Sequence, residues 1–255
     1  TEAYCGEELH QMYMSLLGAV GYLYLTRMDM LVFIAACQRH AHNPQIIHVK
    51  RLNVIVRWVQ RNPKRLTYKG MKSADDTHLR IVSDAAFKKE EDSGHSVRGA
   101  LYIRCHGNST DYMKGTTRGH LLEHVSRQQR RVVRSTFSAE LQGACDTQDK
   151  GFILVQILHE IATGEHLSSS AMKLRDHGGY AVPMCLYIDA MSVHTAIVAT
   201  FIKTPADNSL LVHLHYLREL LDHDVLHALA WSDTRDMLGD GMTKGTVDRH
   251  AIHQV

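Results

Sequence analysis

The sequence predicts an α/β protein in which a mixed five-stranded sheet, flanked by helices, follows a small all-helical segment. Apolar residues recur at helical spacing through about the first 68 residues, and the pattern then changes to short apolar runs typical of strands. In the second part, three strands are followed by a helix, a strand, two helices, a strand and a terminal helix. Such a mixed order favours a sheet with helices packed on its faces.

The helical segment is predicted to contain three helices, which the apolar spacing places at residues 13–25, 29–38 and about 48–60. Asn43 and Pro44 interrupt the pattern before the third helix. The apolar face of that helix lies opposite a basic back formed by Lys50, Arg57 and Arg61. The basic back has two interpretations that the sequence leaves open: a solvated outer face, or a surface that contacts a nucleic-acid backbone.

A short polar stretch without periodicity, residues 70–77, marks the predicted boundary between two domains, 1–70 and 77–255. Ser135 or Thr136 can cap a long helix, whose length leaves room for a break near residues 149–151. Turn-forming residues favour an antiparallel meander for the first three strands. The predicted strands are 81–87, 97–105, 120–125, 183–189 and 225–231, and the predicted helices are 135–162, 191–201 and 209–223.

Composition narrows the class of protein without identifying it. The formal charge of +2 and a pI near 8.3 are too mild to indicate a nucleic-acid partner by themselves. Five cysteines at wide spacings, with no Cys-x-x-Cys pair, argue against zinc or redox chemistry and predict a reducing, intracellular compartment. Apolar stretches end within about a dozen residues, short of the roughly 20 needed to span a bilayer, so we expect no membrane segment.

Two further observations concern the ends of the chain and the enzyme classes that its motifs exclude. The chain opens without an initiator methionine or a basic-then-apolar leader, so we expect a fragment of a longer protein. The sequence contains neither a Gly-rich phosphate loop nor a Gly-x-Ser-x-Gly elbow. Nucleoside-triphosphate and serine-hydrolase chemistries therefore have no support.

Four carboxylates are the candidate functional residues: Asp84 within a strand, Glu140 in the first turns of a helix, Asp189 at a strand end and Asp240 near the terminal helix. Each alone has a structural explanation, as a turn former, a cap or a partner of the helix dipole. Strand ends and helix starts converge at one edge of a sheet, however, and carboxylates drawn together repel one another unless cations neutralise them. The set therefore predicts a Mg²⁺ site.

The motifs around these acids resemble the ribonuclease H motifs of copia-type LTR retrotransposon polyproteins, in the same order and at similar spacing. They are Ser83-Asp84-Ala85, Ser135-Thr136-Phe137-Ser138-Ala139-Glu140-Leu141, Tyr187-Ile188-Asp189 and Leu238-Gly239-Asp240-Gly241-Met242-Thr243-Lys244. The first 70 residues resemble the end of that family's reverse transcriptase. The motifs there are Tyr13-Met14-Ser15-Leu16-Leu17-Gly18, Tyr22-Leu23 and Thr26-Arg27-Met28-Asp29. The resemblance thus covers nearly the whole chain.

This resemblance implies a ribonuclease H-like fold that cuts the RNA strand of an RNA–DNA hybrid during reverse transcription. It also implies two Mg²⁺ ions, with Mn²⁺ as a substitute, held by the four acids. Asp84 would bridge both ions, Asp240 would join it around the ion that activates water, and Glu140 with Asp189 would hold the ion at the leaving group. The implied partners are the hybrid and the remainder of the reverse transcriptase polyprotein, in the cytoplasm or in retrotransposon particles.

A basic stretch immediately before Glu140 is the second candidate for contact with nucleic acid. It contains Arg127, Arg130, Arg131 and Arg134, which we expect either to touch phosphates of the hybrid beside the metals or to form an ordinary solvated loop.

Two alternatives to an active ribonuclease H stay open at this stage. Gly239 and Gly241 flank Asp240, and each glycine costs a helix about 1 kcal/mol relative to alanine. The chain could therefore be an eroded remnant that only binds nucleic acid or connects domains. Because a fold does not fix a substrate, an integrase or another nuclease of the same fold is the second alternative. Convergence of all four carboxylates on one point would favour the enzyme.

Overall fold

The computed structural model describes residues 3–71, 77–87, 95–107, 119–166 and 168–247. Within these ranges the chain forms two compact units. Among the described residues, the first contains 3–69 together with 244–247, and the second lies between Gly70 and Thr243. Residues 244–247 thus group with the first unit, although they fall within the predicted range 77–255. The correspondence of the units to retroelement domains stays a prediction.

The first unit is a small helical bundle. Its helices are α1 (Glu7–Gly21), α2 (Leu31–Gln38) and α3 (Ile46–Arg61), and 3₁₀ turns cover Tyr22–Leu25 and Met28–Met30. The three predicted helices are confirmed, with α1 beginning and ending earlier than its apolar pattern indicated. The helices enclose a core of buried residues that consists of Tyr13, Leu17, Val20, Met30, Ile34, Cys37, Leu52 and Ile55.

The second unit is built on the mixed five-stranded sheet that the sequence predicted. Its strands are β1 (Thr77–Ala86), β2 (His95–His106), β3 (Gly119–Val132), β4 (Met184–Ile188) and β5 (Ala228–Trp231). The spatial order is β3-β2-β1-β4-β5. The first three strands form an antiparallel meander, and β4 pairs parallel with both β1 and β5. The α/β class and the ribonuclease H-like arrangement are therefore confirmed.

The third strand is much longer than its sequence pattern indicated. The prediction ended at residue 125, whereas β3 continues to Val132. Arg127, Arg130 and Arg131 consequently lie on an exposed strand rather than in a loop, and Arg134 follows just beyond it. The loop interpretation of this basic stretch was wrong for these three arginines, because backbone pairing with β2 holds them in extended conformation.

In its described residues the second unit also contains five α-helices, one of which the sequence pattern did not predict. They are α4 (Thr136–Thr163), α5 (Ser168–His177), α6 (Met191–Val198), α7 (Leu211–Asp222) and α8 (Asp240–Thr243). Helix α5 is the unpredicted one. The others occupy predicted positions, although α8 is a single turn. None of the helices in the described part of the chain is long and apolar enough to cross a membrane.

Helix α4 positions the candidate site and is continuous throughout its length. Ser135 caps it, accepting a hydrogen bond from the Ser138 amide at 3.1 Å. The helix does not break near residues 149–151, where Gly151 instead packs closely against the sheet. A Cβ atom at Gly151 would lie 2.4 Å from Cδ1 of Ile81. The glycine therefore serves close packing rather than a turn.

The core of the second unit lies between α4 and one face of the sheet. Leu79 and Ile81 of β1 pack there with Leu141 and Val155 of α4, and all four are fully buried. Burial of each such side chain contributes about 1.5 to 3 kcal/mol of hydrophobic stabilisation. This packing fixes the start of α4 beside the end of β1, where the candidate acids lie.

Candidate metal centre

Three of the four predicted acids meet at one edge of the sheet. Asp84 lies near the end of β1, Asp189 directly follows β4, and Glu140 lies near the start of α4. Each offers a carboxylate oxygen, and these oxygens all lie within 4.8 Å of one another. Asp84 and Glu140 are 1% and 7% exposed, and Asp189 is half-buried. The meeting follows from topology, because β1 and β4 are parallel neighbours whose ends share an edge.

Each of the three acids accepts a hydrogen bond from the surrounding protein. The Ala85 amide donates to Oε2 of Glu140 at 3.1 Å, and the Thr243 hydroxyl donates to Oδ2 of Asp84. The Thr234 hydroxyl lies 3.5 Å from Oδ2 of Asp189. Sequence reasoning did not identify these donors as functional. Thr243 lies in the motif that contains Asp240, but the sequence prediction assigned a role only to Asp240 within that motif.

Asp240 does not join the group of three. It begins the one-turn helix α8 and is 8% exposed, and Thr243 at the end of the same helix contacts Asp84 of the group. The preceding Gly239 packs directly against β1, since a Cβ atom there would lie 2.8 Å from Cβ of Asp84. The segment predicted to bring the fourth acid therefore reaches the site, whereas the role of Asp240 as a metal ligand stays a prediction.

The donor set of the three acids fits a small divalent cation. Oxygens bound to one Mg²⁺ ion at about 2.1 Å lie at most about 4.2 Å from one another, close to the spread of these carboxylate oxygens. Carboxylates are the hard ligands that Mg²⁺ and Mn²⁺ prefer. Two buried and one half-buried acid at this spacing also repel one another when ionised, so a cation bound between them would stabilise the charged forms.

Basic residues lie on β2 and β3 beside the acids. Arg98 is buried next to the exposed Asp146 of α4, with Nη1 2.6 Å from Oδ2. Burial lowers the pKa of the Arg98 guanidinium, the Asp146 carboxylate opposes that change, and Arg127 and Arg130 add to the lowering. In the strand register Arg127 pairs with Arg98, the residue next to Gly99, and Gly99 in turn pairs with Asp84. Sequence reasoning identified the exposed arginines but missed Arg98.

The basic residues predicted on the third helix lie in the first unit. Lys50, Arg57 and Arg61 are all exposed on α3. Their exposure fits both of the interpretations that the sequence left open, a solvated face and a nucleic-acid contact.

Comparison with known proteins reveals similarity to retrotransposon proteins. The chain is 23% identical, over 237 residues and 91% of its length, to the retrovirus-related Pol polyprotein from transposon RE1 of Arabidopsis thaliana. It is equally similar to the corresponding polyprotein from transposon RE2 of the same plant. This weak homology supports a retrotransposon Pol polyprotein fragment. The chain spans about one seventh of the length of these relatives, as the 14% coverage of each shows.

The other two comparisons identify no relative. No protein-family model matches the sequence, and no solved structure matches it significantly.

Proposed function

We propose that the second unit is a metal-dependent ribonuclease H that hydrolyses the RNA strand of an RNA–DNA hybrid. The observation that carries the proposal is the meeting of Asp84, Glu140 and Asp189, which come from three separate elements and offer oxygens within 4.8 Å of one another. Chance clustering of acids on a surface would leave them exposed, whereas two of these are buried. The similarity to retrotransposon Pol polyproteins, whose order of motifs this chain resembles, supports the same function.

The proposed chemistry assigns a task to each acid. Bound Mg²⁺ ions would supply an activated water and stabilise charge on the scissile phosphate and the leaving oxygen. Asp84, on the central strand β1, would be shared between two ion positions, and Glu140 and Asp189 would complete the position nearer to the leaving group. Asp240 is the proposed fourth ligand. Hydrogen bonds from Ala85 and the two threonines hold the three grouped carboxylates in orientations that preorganise the site.

The basic residues are proposed to bind the backbone of the hybrid. Arg127, Arg130, Arg131 and Arg134 are exposed on or beside β3, and Lys50, Arg57 and Arg61 are exposed on α3. Contacts of this kind to phosphate oxygens add affinity that does not depend on sequence. Arg98 is buried, and its pairing with Asp146 makes it a support for this surface rather than a direct contact.

A second candidate is a non-catalytic module that binds nucleic acid. The observation in its favour is that Asp240 does not join the other three acids. A site with three ligands can still bind a cation while failing to support hydrolysis, because two-metal chemistry depends on the placement of both ions.

The test of the proposed function is cleavage of a labelled RNA–DNA hybrid in the presence of Mg²⁺. The wild-type chain is expected to cut the RNA strand, and Asp189→Asn is expected to lower the rate at least about 100-fold, because it removes one ligand charge from the site. Asp176→Asn is the matched control, since Asp176 is exposed on α5 and should leave the rate unchanged.

Parallel assays with double-stranded RNA and duplex DNA separate the competing functions. Cleavage of duplex DNA in preference to the hybrid would indicate an integrase-like or other nuclease. Binding of the hybrid without cleavage by the wild-type chain would identify the non-catalytic module. Undiminished cleavage by Asp189→Asn would remove the proposed metal centre.

A further inference from the structure

The one-turn helix α8 lies directly on β1 and β2 where Asp84 is located. In the register of the sheet, Asp84 is opposite Gly99, and Gly99 is opposite Ser126. A Cβ atom at Gly99 would lie 2.6 Å from Cβ of Met242 and 2.8 Å from Cγ2 of Thr243. Only glycine at this position leaves room for α8 to approach the strands so closely.

A second glycine and a buried hydrogen bond fix α8 in this position. Gly239, just before the helix, packs against Asp84. A Cβ atom at Gly239 would lie only 2.8 Å from Cβ of Asp84. The Ser126 hydroxyl donates to the carbonyl oxygen of Met242 at 2.6 Å, and this contact is buried. Gly99 and Ser126 on the strands, together with Gly239 just before the helix, therefore determine where the side chains of α8 lie.

The consequence of this placement is that Thr243, itself 3% exposed, donates its hydroxyl to Oδ2 of Asp84. The same hydroxyl lies 3.4 Å from the carbonyl oxygen of Asp240, the acceptor one turn earlier, so the carboxylate is the closer partner. An ionised carboxylate has about four lone-pair positions. A donor that occupies one of them orients the carboxylate and leaves the others for a cation.

We propose that Thr243 is a positioning residue for Asp84, and that the segment after β5 serves the site through this hydroxyl in addition to any role of Asp240. The inference rests on the proposed function, since it concerns how a metal ligand is held. A donor behind a metal-ligating carboxylate restricts its rotation and so raises cation affinity, and loss of such a donor commonly weakens metal binding about 10- to 100-fold.

The test compares Mg²⁺ affinity, measured by titration calorimetry, among variants of the full chain. Thr243→Val removes the hydroxyl and keeps the branched shape, and it is expected to weaken Mg²⁺ binding at least about tenfold. Thr243→Ser keeps the hydroxyl and is expected to bind like the wild type. Thr195→Val, on the exposed face of α6, is the matched control and should change nothing.

The kinetics of hybrid cleavage distinguish a positioning role of Thr243 from a purely structural one. The valine variant is expected to show a lower kcat at saturating hybrid with an unchanged KM, and added Mg²⁺ should restore part of the rate. If Thr243→Val does not fold, Ser126→Ala is tested in its place. This variant removes the hydrogen bond to the Met242 carbonyl oxygen, so α8 should be held less firmly and Mg²⁺ binding should also weaken.

The outcomes distinguish this inference from the proposed function. Wild-type Mg²⁺ affinity in Thr243→Val would overturn the role of Thr243 and leave the metal centre standing. Equal weakening in the serine and valine variants, together with equal loss of thermal stability, would show that Thr243 only packs, and would also overturn the inference. A wild-type chain that binds no Mg²⁺ and cuts no hybrid would overturn the proposed function and this inference with it.

Discussion

Glu140 combines two environments that favour opposite charge states. The amide of Ala85 donates a hydrogen bond to Oε2, which stabilises the ionised carboxylate. Burial at 7% exposure and the nearby oxygens of Asp84 and Asp189 favour the neutral form. When the three acids are ionised and no cation is bound, their mutual repulsion costs electrostatic free energy, and a bound cation would remove that cost.

Glu140→Gln tests this balance. The amide side chain can still accept the hydrogen bond from Ala85 but carries no charge, so in the absence of Mg²⁺ the variant should unfold at a Tm higher by about 2 to 4 °C, equivalent to about 1 kcal/mol. Added Mg²⁺ should raise the Tm of the wild type and have little effect on the variant. Differential scanning calorimetry with and without Mg²⁺ measures both effects, and a lower Tm of the variant in metal-free buffer would contradict the expectation.

The three grouped acids could be predicted from the sequence, but the groups that hold them could not. Glu140 and Asp189 were recognisable because they occur where a helix begins and where a strand ends, positions that converge, and Asp84 because of the motif around it. The donor to Glu140 is a backbone amide, which every residue but proline possesses, so no residue type marks it. Thr243 becomes a partner of Asp84 only through the close packing of α8 on the sheet, which depends on contacts between residues far apart in sequence.

At the scale of elements, the position of α8 depends on small residues in the strands beneath it. Gly99→Ala would place a methyl group within 2.6 Å of Cβ of Met242, an atom too close to the backbone to move aside. We expect α8 to shift and the protein to lose about 1 to 3 kcal/mol, as overpacking usually costs. Thermal unfolding measures the loss, and Mg²⁺ affinity should fall with it.

The matched control for this variant is Gly18→Ala in α1. A Cβ atom at Gly18 meets nothing within 4 Å, and alanine favours a helix over glycine by about 1 kcal/mol. This variant should therefore be neutral or more stable. Equal stability of Gly99→Ala and the wild type would show that α8 does not depend on the glycine.

The elements that sequence reasoning placed wrongly share a physical cause. β3 extends through Arg127 to Val132 because it pairs with β2, although the polar side chains there give no apolar alternation. Helix α5 begins with serines and has no clear apolar stripe, so its pattern did not differ from that of a loop. The length of α4 left room for a break near residues 149–151, whereas Gly151 there allows the helix to pack closely against Ile81. In each case tertiary contacts outweighed local preference.

At the scale of the whole molecule, each unit has its own core and a buried histidine with a lowered pKa. In the first unit, burial, with contributions from His40 and Arg51, lowers the pKa of His48, whose Nδ1 accepts a hydrogen bond from the Gln45 amide at 3.0 Å. In the second unit, burial lowers the pKa of His124 on β3, against the opposing effect of Glu123. Both side chains therefore favour the neutral form in the folded protein.

Lowering the pH should therefore decrease the free energy of unfolding of both units. The unfolded chain binds a proton at each histidine near pH 6.5, whereas the folded chain resists it until a lower pH. The stabilising contribution is thus complete above about pH 6.5 and is lost as the pH falls below that value. Thermal unfolding between pH 7.5 and 5 should show a steeper decline in Tm for the wild type than for His48→Gln or His124→Gln, since glutamine does not titrate. Parallel declines in all three proteins would contradict this prediction.

The arginines on β3 also bear on whether the protein aggregates in concentrated solution. β3 is an outer strand of the five-stranded sheet, so one row of its peptide groups faces away from the other strands. An outer strand of this length is a template on which a second chain can add, and charged side chains are a common protection against such growth. Arg127, Arg130 and Arg131 project from that strand into solvent. We expect these arginines to protect the molecule against aggregation even when no nucleic acid is bound.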